Sequence, residues 1–170
     1  LQEHFVDFSF RYPPKFQVVP GDSNFIKVEE SLEDPGGGSY TLENFAVGYI
    51  TASPEVLPGS DQELIFPMLA EQLSSQFAQG FPNFQEVGQQ PVDVAGQKGL
   101  SLLFEAELTD TPRGNIKIYG KVLLARKPGM EKGVAIIMLA SALDPDVTSP
   151  AEVGVKGDLG LILKSFRLGE

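Results

Sequence analysis

The sequence contains no cysteine among its 170 residues and only one histidine, His4. Without cysteine the chain can form no disulfide, no thiolate metal site and no cysteine nucleophile. A Ser-His-Asp triad or a two-histidine zinc site would need His4, which stands in the first few residues, where chains commonly fray. These absences argue against hydrolase chemistry, so we expect no catalytic residues, no metal site and no cofactor.

Positive charge and long apolar runs are also scarce. Lysine and arginine number 13 against 23 aspartates and glutamates, which gives a formal net charge of −10. Nucleic acids are bound by neutralising phosphates with cations, and the one basic run, Arg126-Lys127, is too short for that, so we expect no nucleic-acid partner. The longest apolar stretch, Val134 to Leu143, falls short of the roughly 20 residues of a membrane helix, which predicts no transmembrane segment.

Alternation of apolar and polar residues predicts most of the fold. Between Phe5 and Tyr12, Phe8, Phe10 and Tyr12 alternate with polar residues as in a half-buried strand. A short strand is predicted at about 25–30 and a longer one at 40–50. Three further segments, 98–108, 115–127 and 133–143, are predicted to be consecutive antiparallel strands. The last of them is apolar on both faces, which is typical of a central strand covered on both sides.

Two capping patterns predict helices. Ser60-Asp61-Gln62-Glu63 is a capping box that precedes a helical pattern over about 61–79, although Pro67 should kink this helix or shift its regular part downstream. Ser149-Pro150-Ala151-Glu152 predicts a second helix over 150–166, with early glycines that move its stable part towards Asp158. The order of elements predicts an α+β fold built on one central antiparallel sheet flanked by helices, in a single domain of residues 1–170.

The two ends of the chain resemble the PsbP-like family. Phe8-Ser9-Phe10-Arg11-Tyr12-Pro13-Pro14 resembles its opening strand, and Leu159-Gly160-Leu161-Ile162-Leu163-Lys164-Ser165-Phe166 is similar to its closing helix. The family often has a tryptophan soon after Tyr-Pro, where this chain has Phe16. The resemblance implies an α/β/α sandwich. It also implies a role as an adaptor, assembly or structural protein, since most members of the family, bacterial ones included, are of that kind. The family has no set of catalytic residues to match to this sequence.

Charged pairs offer weak candidate sites. Glu105 and Glu107 project from one face of a strand and could be read as paired catalytic carboxylates. We expect Lys117 and Lys121 on the same face of the partner strand, so that cross-strand ion pairs on a solvated surface explain these carboxylates more simply. Asp144-Pro145-Asp146 lacks the ligand spacing of a calcium loop and is interpreted as a turn.

The segment Phe81-Pro82-Asn83-Phe84 has two interpretations. Phe81, Pro82 and Phe84 could form a small partner-binding patch beside the end of the first helix. The two aromatic rings could equally pack under the edge of the sheet. Both possibilities stay open from the sequence.

The sequence favours a non-catalytic binding or assembly domain that engages a protein or cell-envelope partner. The chain begins with Leu1, so a removed signal or lipid-anchor segment is possible, and we expect an extracytoplasmic, periplasmic or lipid-anchored location. The alternative is a small-ligand-binding or weakly catalytic domain with a pocket between sheet and helix. We expect no deep pocket with two strongly perturbed carboxylates or a perturbed lysine, which would favour an enzyme.

Overall fold

The computed structural model describes residues 7–20, 25–51, 62–126 and 132–169. The strands are β1 (Phe8–Ser9), β2 (Gln17–Val19), β3 (Phe25–Glu33), β4 (Ser39–Thr51), β5 (Gln85–Val94), β6 (Gln97–Thr111), β7 (Gly114–Ala125), β8 (Lys132–Ser141) and β9 (Arg167–Leu168). The helices are α1 (Gln62–Gly80), a 3-10 turn (Pro150–Glu152) and α2 (Gly157–Ser165). His4, Lys127 and the Ser60-Asp61 half of the predicted capping box lie outside the described residues.

Seven strands form one antiparallel sheet in the order β2-β3-β4-β8-β7-β6-β5. The predicted antiparallel pairing of the three strands 98–108, 115–127 and 133–143 is confirmed, because β7 pairs with both β6 and β8 in that sense. β8 lies between β4 and β7, at the centre of the sheet, as its apolar sequence predicts. The α+β class and the central antiparallel sheet are therefore confirmed, and strand rather than helix makes up most of the described chain.

The two helices pack against opposite faces of this sheet. Helix α1 buries Phe66 and Ala70 against the face that carries Leu102, Phe104 and Val122. Helix α2 buries Leu159 and Ile162 in a second cluster on the other face, together with the following strand residues: Phe45, Val47, Ile136 and Met138. Among the residues described, no helix is long and apolar enough to cross a membrane.

The predicted start of the second helix at residue 150 is wrong. Ser149 makes no capping hydrogen bond with its side chain, and only a 3-10 turn forms there before α2 begins at Gly157. Gly154 has a φ of 75°, which interrupts a right-handed helix there, and Gly157 has a φ of 66° at the first residue of α2, so the regular helical backbone begins only after it. The predicted shift of the stable helix towards Asp158 is confirmed. Pro67, by contrast, lies inside α1 without displacing its start.

The two ends of the chain are joined by the short pair β1 and β9, in which Phe8 lies opposite Leu168. The Ser165 hydroxyl accepts a hydrogen bond from the Arg11 amide at 2.7 Å and lies 3.1 Å from the Arg11 carbonyl oxygen. The Phe8 ring stacks on Phe166 with their centroids 6.0 Å apart. The opening and closing motifs that resemble the PsbP-like family therefore contact each other.

Candidate functional site

A buried carboxyl lies on the α2 face of the sheet. Glu43 of β4 is paired directly with Glu30 of β3, and it is only 1% exposed. It occupies the same face as Phe45 and Val47, since side chains two apart in a strand point the same way. A carboxyl in this apolar position is unusual, because charged groups are rarely buried unless they are paired.

Two further elements bring charges to Glu43. Asp158, in the first turn of α2, completes a cluster in which one carboxylate oxygen each from Glu30, Glu43 and Asp158 lie within 4.8 Å of one another. The Lys15 ammonium contacts Asp158 and lies 3.5 Å from Glu30 Oε1. Asp144, in the turn after β8, is a further carboxyl close enough to Glu43 to affect its protonation.

The surroundings of Glu43 favour its neutral form. Burial raises the pKa of Glu43 to about 9, and the hydrogen bond and charge of Asp144 and the charges of Asp158 and Glu30 act in the same direction. Glu43 is therefore protonated at neutral pH, and its O–H can donate to Asp144. The pKa of Lys15 is raised as well, chiefly by its hydrogen bond to Asp158.

Because Glu43 is almost inaccessible, a substrate atom cannot reach it for proton transfer. The arrangement can hold a proton or a small cation. We expected no deep pocket with two strongly perturbed carboxylates or a perturbed lysine. Among the described residues the pKa is strongly raised for Glu43, strongly lowered for Glu152, to about 2 by its hydrogen bonds to Lys156 and Thr148, and lowered for Lys121. Burial lowers the pKa of Lys121, whose ammonium lies 3.2 Å from the Ala151 carbonyl oxygen and anchors the 3-10 turn to the sheet.

The inward orientation of Glu43 can be predicted from the sequence, although it is not among the predicted site residues. Glu43 precedes Phe45 and Val47 at even spacing, and that parity alone places it on the core side of β4. The predicted turn at Asp144-Pro145-Asp146 is present, with Asp144 Oδ1 accepting the Asp146 amide at 2.9 Å. The contact of Asp144 with Glu43 was not predicted.

The two glutamates singled out in the sequence lie elsewhere on the sheet. Glu107 is paired directly with Lys117, and Lys121 lies opposite Leu103, so the predicted common face of these four charged residues is confirmed. The ion pair that forms is diagonal, with Lys117 Nζ 3.3 Å from Glu105 Oε2. Glu107 instead accepts a hydrogen bond from the Asn83 amide at 2.8 Å.

Replacing Glu105 and Glu107 together with glutamine is expected to change the free energy of unfolding by less than about 1 kcal/mol. The Glu105 and Lys117 side chains are 28% and 46% exposed, and exposed pairs contribute only about 0.2–1 kcal/mol. Urea denaturation of the wild type and the double variant measures the difference. A loss of several kcal/mol would show that these carboxylates are structurally essential.

A groove of about 450 Å³ runs beside this ion pair. Its lining consists of Asn83, Phe84, Gln85, Glu105, Ala106, Glu107 and Lys117. Its charged groups already pair with one another or with Asn83. The groove is therefore polar and open, and it offers few unpaired groups to a ligand.

The Phe81-Pro82-Asn83-Phe84 segment forms the turn between α1 and β5. The rings of Phe81 and Phe84 are half-buried and lie 6.2 and 5.2 Å from the ring of Phe104, centroid to centroid. Both also pack on Phe77 of α1. Pro82 is exposed, so it is the main part of the predicted patch that a partner could reach.

A different apolar surface lies beside the carboxyl cluster. Val155 is 64% exposed and Leu161 is 59% exposed. Leu161 follows Asp158 by three residues and therefore shares its face of α2. A Cβ built on Gly160 would lie 2.7 Å from the Val155 carbonyl oxygen, so the backbone of Val155 lies directly against the helix while its side chain stays exposed. No local sequence pattern indicates this surface, since it depends on the turn before α2.

Comparisons with known proteins show the fold. No protein-family model matches the sequence, and no curated protein matches it at a significant level. Among solved structures, LpqN, involved in cell envelope biogenesis of Mycobacterium tuberculosis, has a TM-score of 0.56 at 13% identity, over 98% of this chain and 85% of LpqN. The Ran-binding protein Mog1p of Saccharomyces cerevisiae has a TM-score of 0.58 at 15% identity, over 94% of this chain and 89% of Mog1p.

A cyanobacterial PsbP from Synechocystis is also found, with a TM-score of 0.46 at 11% identity over 98% of this chain and 95% of that protein. LpqN and Mog1p have the PsbP-like fold, so the resemblance predicted from the two ends of the chain is confirmed at the level of fold by these two structures. The chain has the PsbP-like fold that LpqN and Mog1p share.

Proposed function

We propose that this chain is a non-catalytic binding or assembly domain that engages a protein partner through the α2 surface, defined as Val155, Asp158 and Leu161. The observation that carries the proposal is the pair of strongly exposed aliphatic side chains beside an acidic cluster. Single exposed apolar residues are ordinary, but an apolar pair next to charged residues is typical of an interaction site.

The charges around the α2 surface favour a basic partner. Glu152 and Asp158 flank the aliphatic pair, and the Lys156 ammonium is already held by Glu152 at 2.5 Å. The whole chain carries a net charge of −10, which accelerates association with a basic protein and repels an acidic one. The partner would therefore present apolar side chains flanked by lysine or arginine.

The structural neighbours are compatible with this function. Mog1p is a Ran-binding protein and LpqN is involved in cell envelope biogenesis, so proteins with this fold include one that binds a protein partner and one that acts in the cell envelope pathway. By analogy with LpqN we also propose a bacterial, extracytoplasmic location for this chain. Fractionation of cells that produce the full-length protein tests the location, and recovery in the cytoplasm would contradict it.

A photo-crosslinking residue at position 161 is expected to capture one defined protein in the cells that produce this chain. The same residue at Met68, which is 37% exposed on α1, serves as the control and should not capture it. Val155→Ser with Leu161→Ser should then weaken binding of the purified partner at least tenfold, because the apolar contact is lost. Their effect on stability should stay within about 0.5 kcal/mol, as for other exposed positions.

Val87→Ser with Met68→Ser is the matched control, since both residues are exposed aliphatic side chains on other elements. Equal loss of binding in both double variants would contradict the α2 surface as the docking site. We propose the Phe81-Pro82-Phe84 patch as a second contact, which a photo-crosslinking residue at position 82 tests. If position 82 captures the partner and position 161 does not, this patch rather than the α2 surface is the docking site.

The alternative of small-ligand binding between sheet and helix has the open groove at Glu105 and Glu107 in its favour. Its polar groups are paired within the protein, so a ligand would have to replace those contacts rather than satisfy vacant ones. Protein binding through the α2 surface therefore has the stronger support.

A further inference from the structure

Glu43 has an unsatisfied oxygen. Glu43 Oε2 is buried and has no hydrogen-bond partner within the described part of the chain. Buried polar atoms are nearly always paired, because an unpaired one costs about 1–3 kcal/mol, so each exception calls for an explanation. Glu43 contributes one carboxylate oxygen to a cluster with Glu30 and Asp158, where a bound cation would take the place of the proton that this carboxyl otherwise holds.

The cluster has the dimensions of a cation site. Oxygens that coordinate one calcium ion at about 2.3–2.6 Å lie at most about 5 Å apart. One oxygen each from Glu30, Glu43 and Asp158 fall within 4.8 Å of one another. These donors come from β3, β4 and α2, so two adjacent strands and a packed helix fix their positions.

The donor set is selective. All three groups are carboxylates, which favour hard cations such as calcium, manganese and magnesium over zinc or copper. Magnesium requires strict octahedral geometry and retains several waters, whereas calcium accepts irregular carboxylate cages. Because Glu43 is only 1% exposed, a lysine or arginine of another protein cannot reach it.

Lys15 already places a positive charge at the mouth of this cluster. Its ammonium contacts Asp158 and lies 3.5 Å from Glu30, on a side chain that is 50% exposed. Such a long, half-exposed side chain can swing into solvent at little cost. We propose that Glu30, Glu43 and Asp158 form a binding site for one calcium ion. In the absence of calcium the Lys15 ammonium takes its place, and it moves away when the ion binds.

Calcium titration of the purified chain, followed by calorimetry, tests this site. The wild type should bind one equivalent of calcium. Lys15→Met should bind about tenfold more tightly, because a competing cation is removed. Glu43→Gln and Asp158→Asn should each lose at least tenfold in affinity. Glu105→Gln with Glu107→Gln is the matched control on an exposed carboxylate pair, and its affinity should equal that of the wild type.

Manganese provides an independent readout of position. As a paramagnetic probe it should broaden amide resonances near Glu30, Glu43 and Gly157 before those near Glu105. Equal broadening at both carboxylate groups, or equal weakening in the control variant, would show only diffuse attraction to an acidic surface and overturn the proposal. A lack of saturable calcium binding below about 10 mM in both the wild type and Lys15→Met would also overturn the proposal. That concentration is about tenfold above the dissociation constants of weak extracellular calcium-binding modules. Neither result depends on the protein partner.

Discussion

Replacing Phe104 with alanine is expected to lower the free energy of unfolding by about 3–5 kcal/mol. Phe104 is 0% exposed and lies at the centre of the α1 face. Its ring packs against Phe77 and Phe84, with centroids 5.1 and 5.2 Å apart. Truncation removes these ring contacts and leaves a cavity between the helix and the sheet. Urea denaturation monitored by circular dichroism measures the loss.

Gly120 explains how so large a ring fits on the sheet. Gly120 is the direct cross-strand partner of Phe104, and a Cβ at this position would overlap the Phe104 ring. Gly120→Ala is therefore expected to cost about 1–3 kcal/mol or more through overpacking. In the Phe104→Ala background the same substitution should cost almost nothing, because the ring that it would strike is gone.

The four proteins of this double-mutant cycle are wild type, the two single variants and the double variant. Gly88→Ala is the matched control, since Gly88 also lies in a strand and a Cβ there meets nothing within 4 Å. It should change stability by less than about 0.5 kcal/mol. An undiminished cost of Gly120→Ala in the Phe104→Ala background would show that the backbone, rather than the ring, requires glycine.

Strand pairing was predictable from the sequence because each signal is local. The faces of β6 and β7 follow from alternation within each strand, and the short connection between them leaves antiparallel pairing as the simplest arrangement. Ser149 and Pro150 favour a helix start at residue 150, but only a 3-10 turn forms there, and the regular helix begins close to Asp158, as the early glycines predict. Backbone conformation at Gly154 and Gly157 decides that boundary.

The carboxyl cluster was only partly predictable. The inward direction of Glu43 is readable from its spacing to Phe45. Its neighbours are not, because Glu30 reaches it through the pairing of two strands whose register shifts immediately after Glu30. Lys15 and Asp158 are 143 positions apart in the sequence (158 minus 15), and their contact depends on how α2 docks on the sheet. Register and docking are tertiary properties that no local pattern encodes.

Raising the pH from 5 to 9 is expected to destabilise the wild type, and Glu43→Gln is expected to remove most of that effect. The pKa of Glu43 is raised from its ordinary 4.5 to about 9 in the folded protein. The folded state therefore keeps a proton that the unfolded chain releases. The contribution to stability is fully present below pH 4.5 and is lost progressively as the pH rises to about 9.

The slope should approach about 1.4 kcal/mol per pH unit within that window. The groups that face Glu43 are Asp144 from the turn after β8, Asp158 from α2, Glu30 from β3 and the Lys15 ammonium beside them. The pKa of Lys15 is raised above 10.5, so its own contribution is fully present below that pH and does not change between pH 5 and 9.

Glutamine is the appropriate substitution, because it has nearly the shape of protonated glutamate and its amide can still donate to Asp144. The two proteins should be similarly stable at pH 5, and Glu43→Gln should be the more stable by several kcal/mol at pH 9. Urea denaturation at pH 5, 7 and 9, in buffer with a chelator to exclude bound cations, measures both curves. A wild type equally stable at all three pH values would mean that Glu43 is ionised when folded, with the Lys15 ammonium neutralising it in place of the proton.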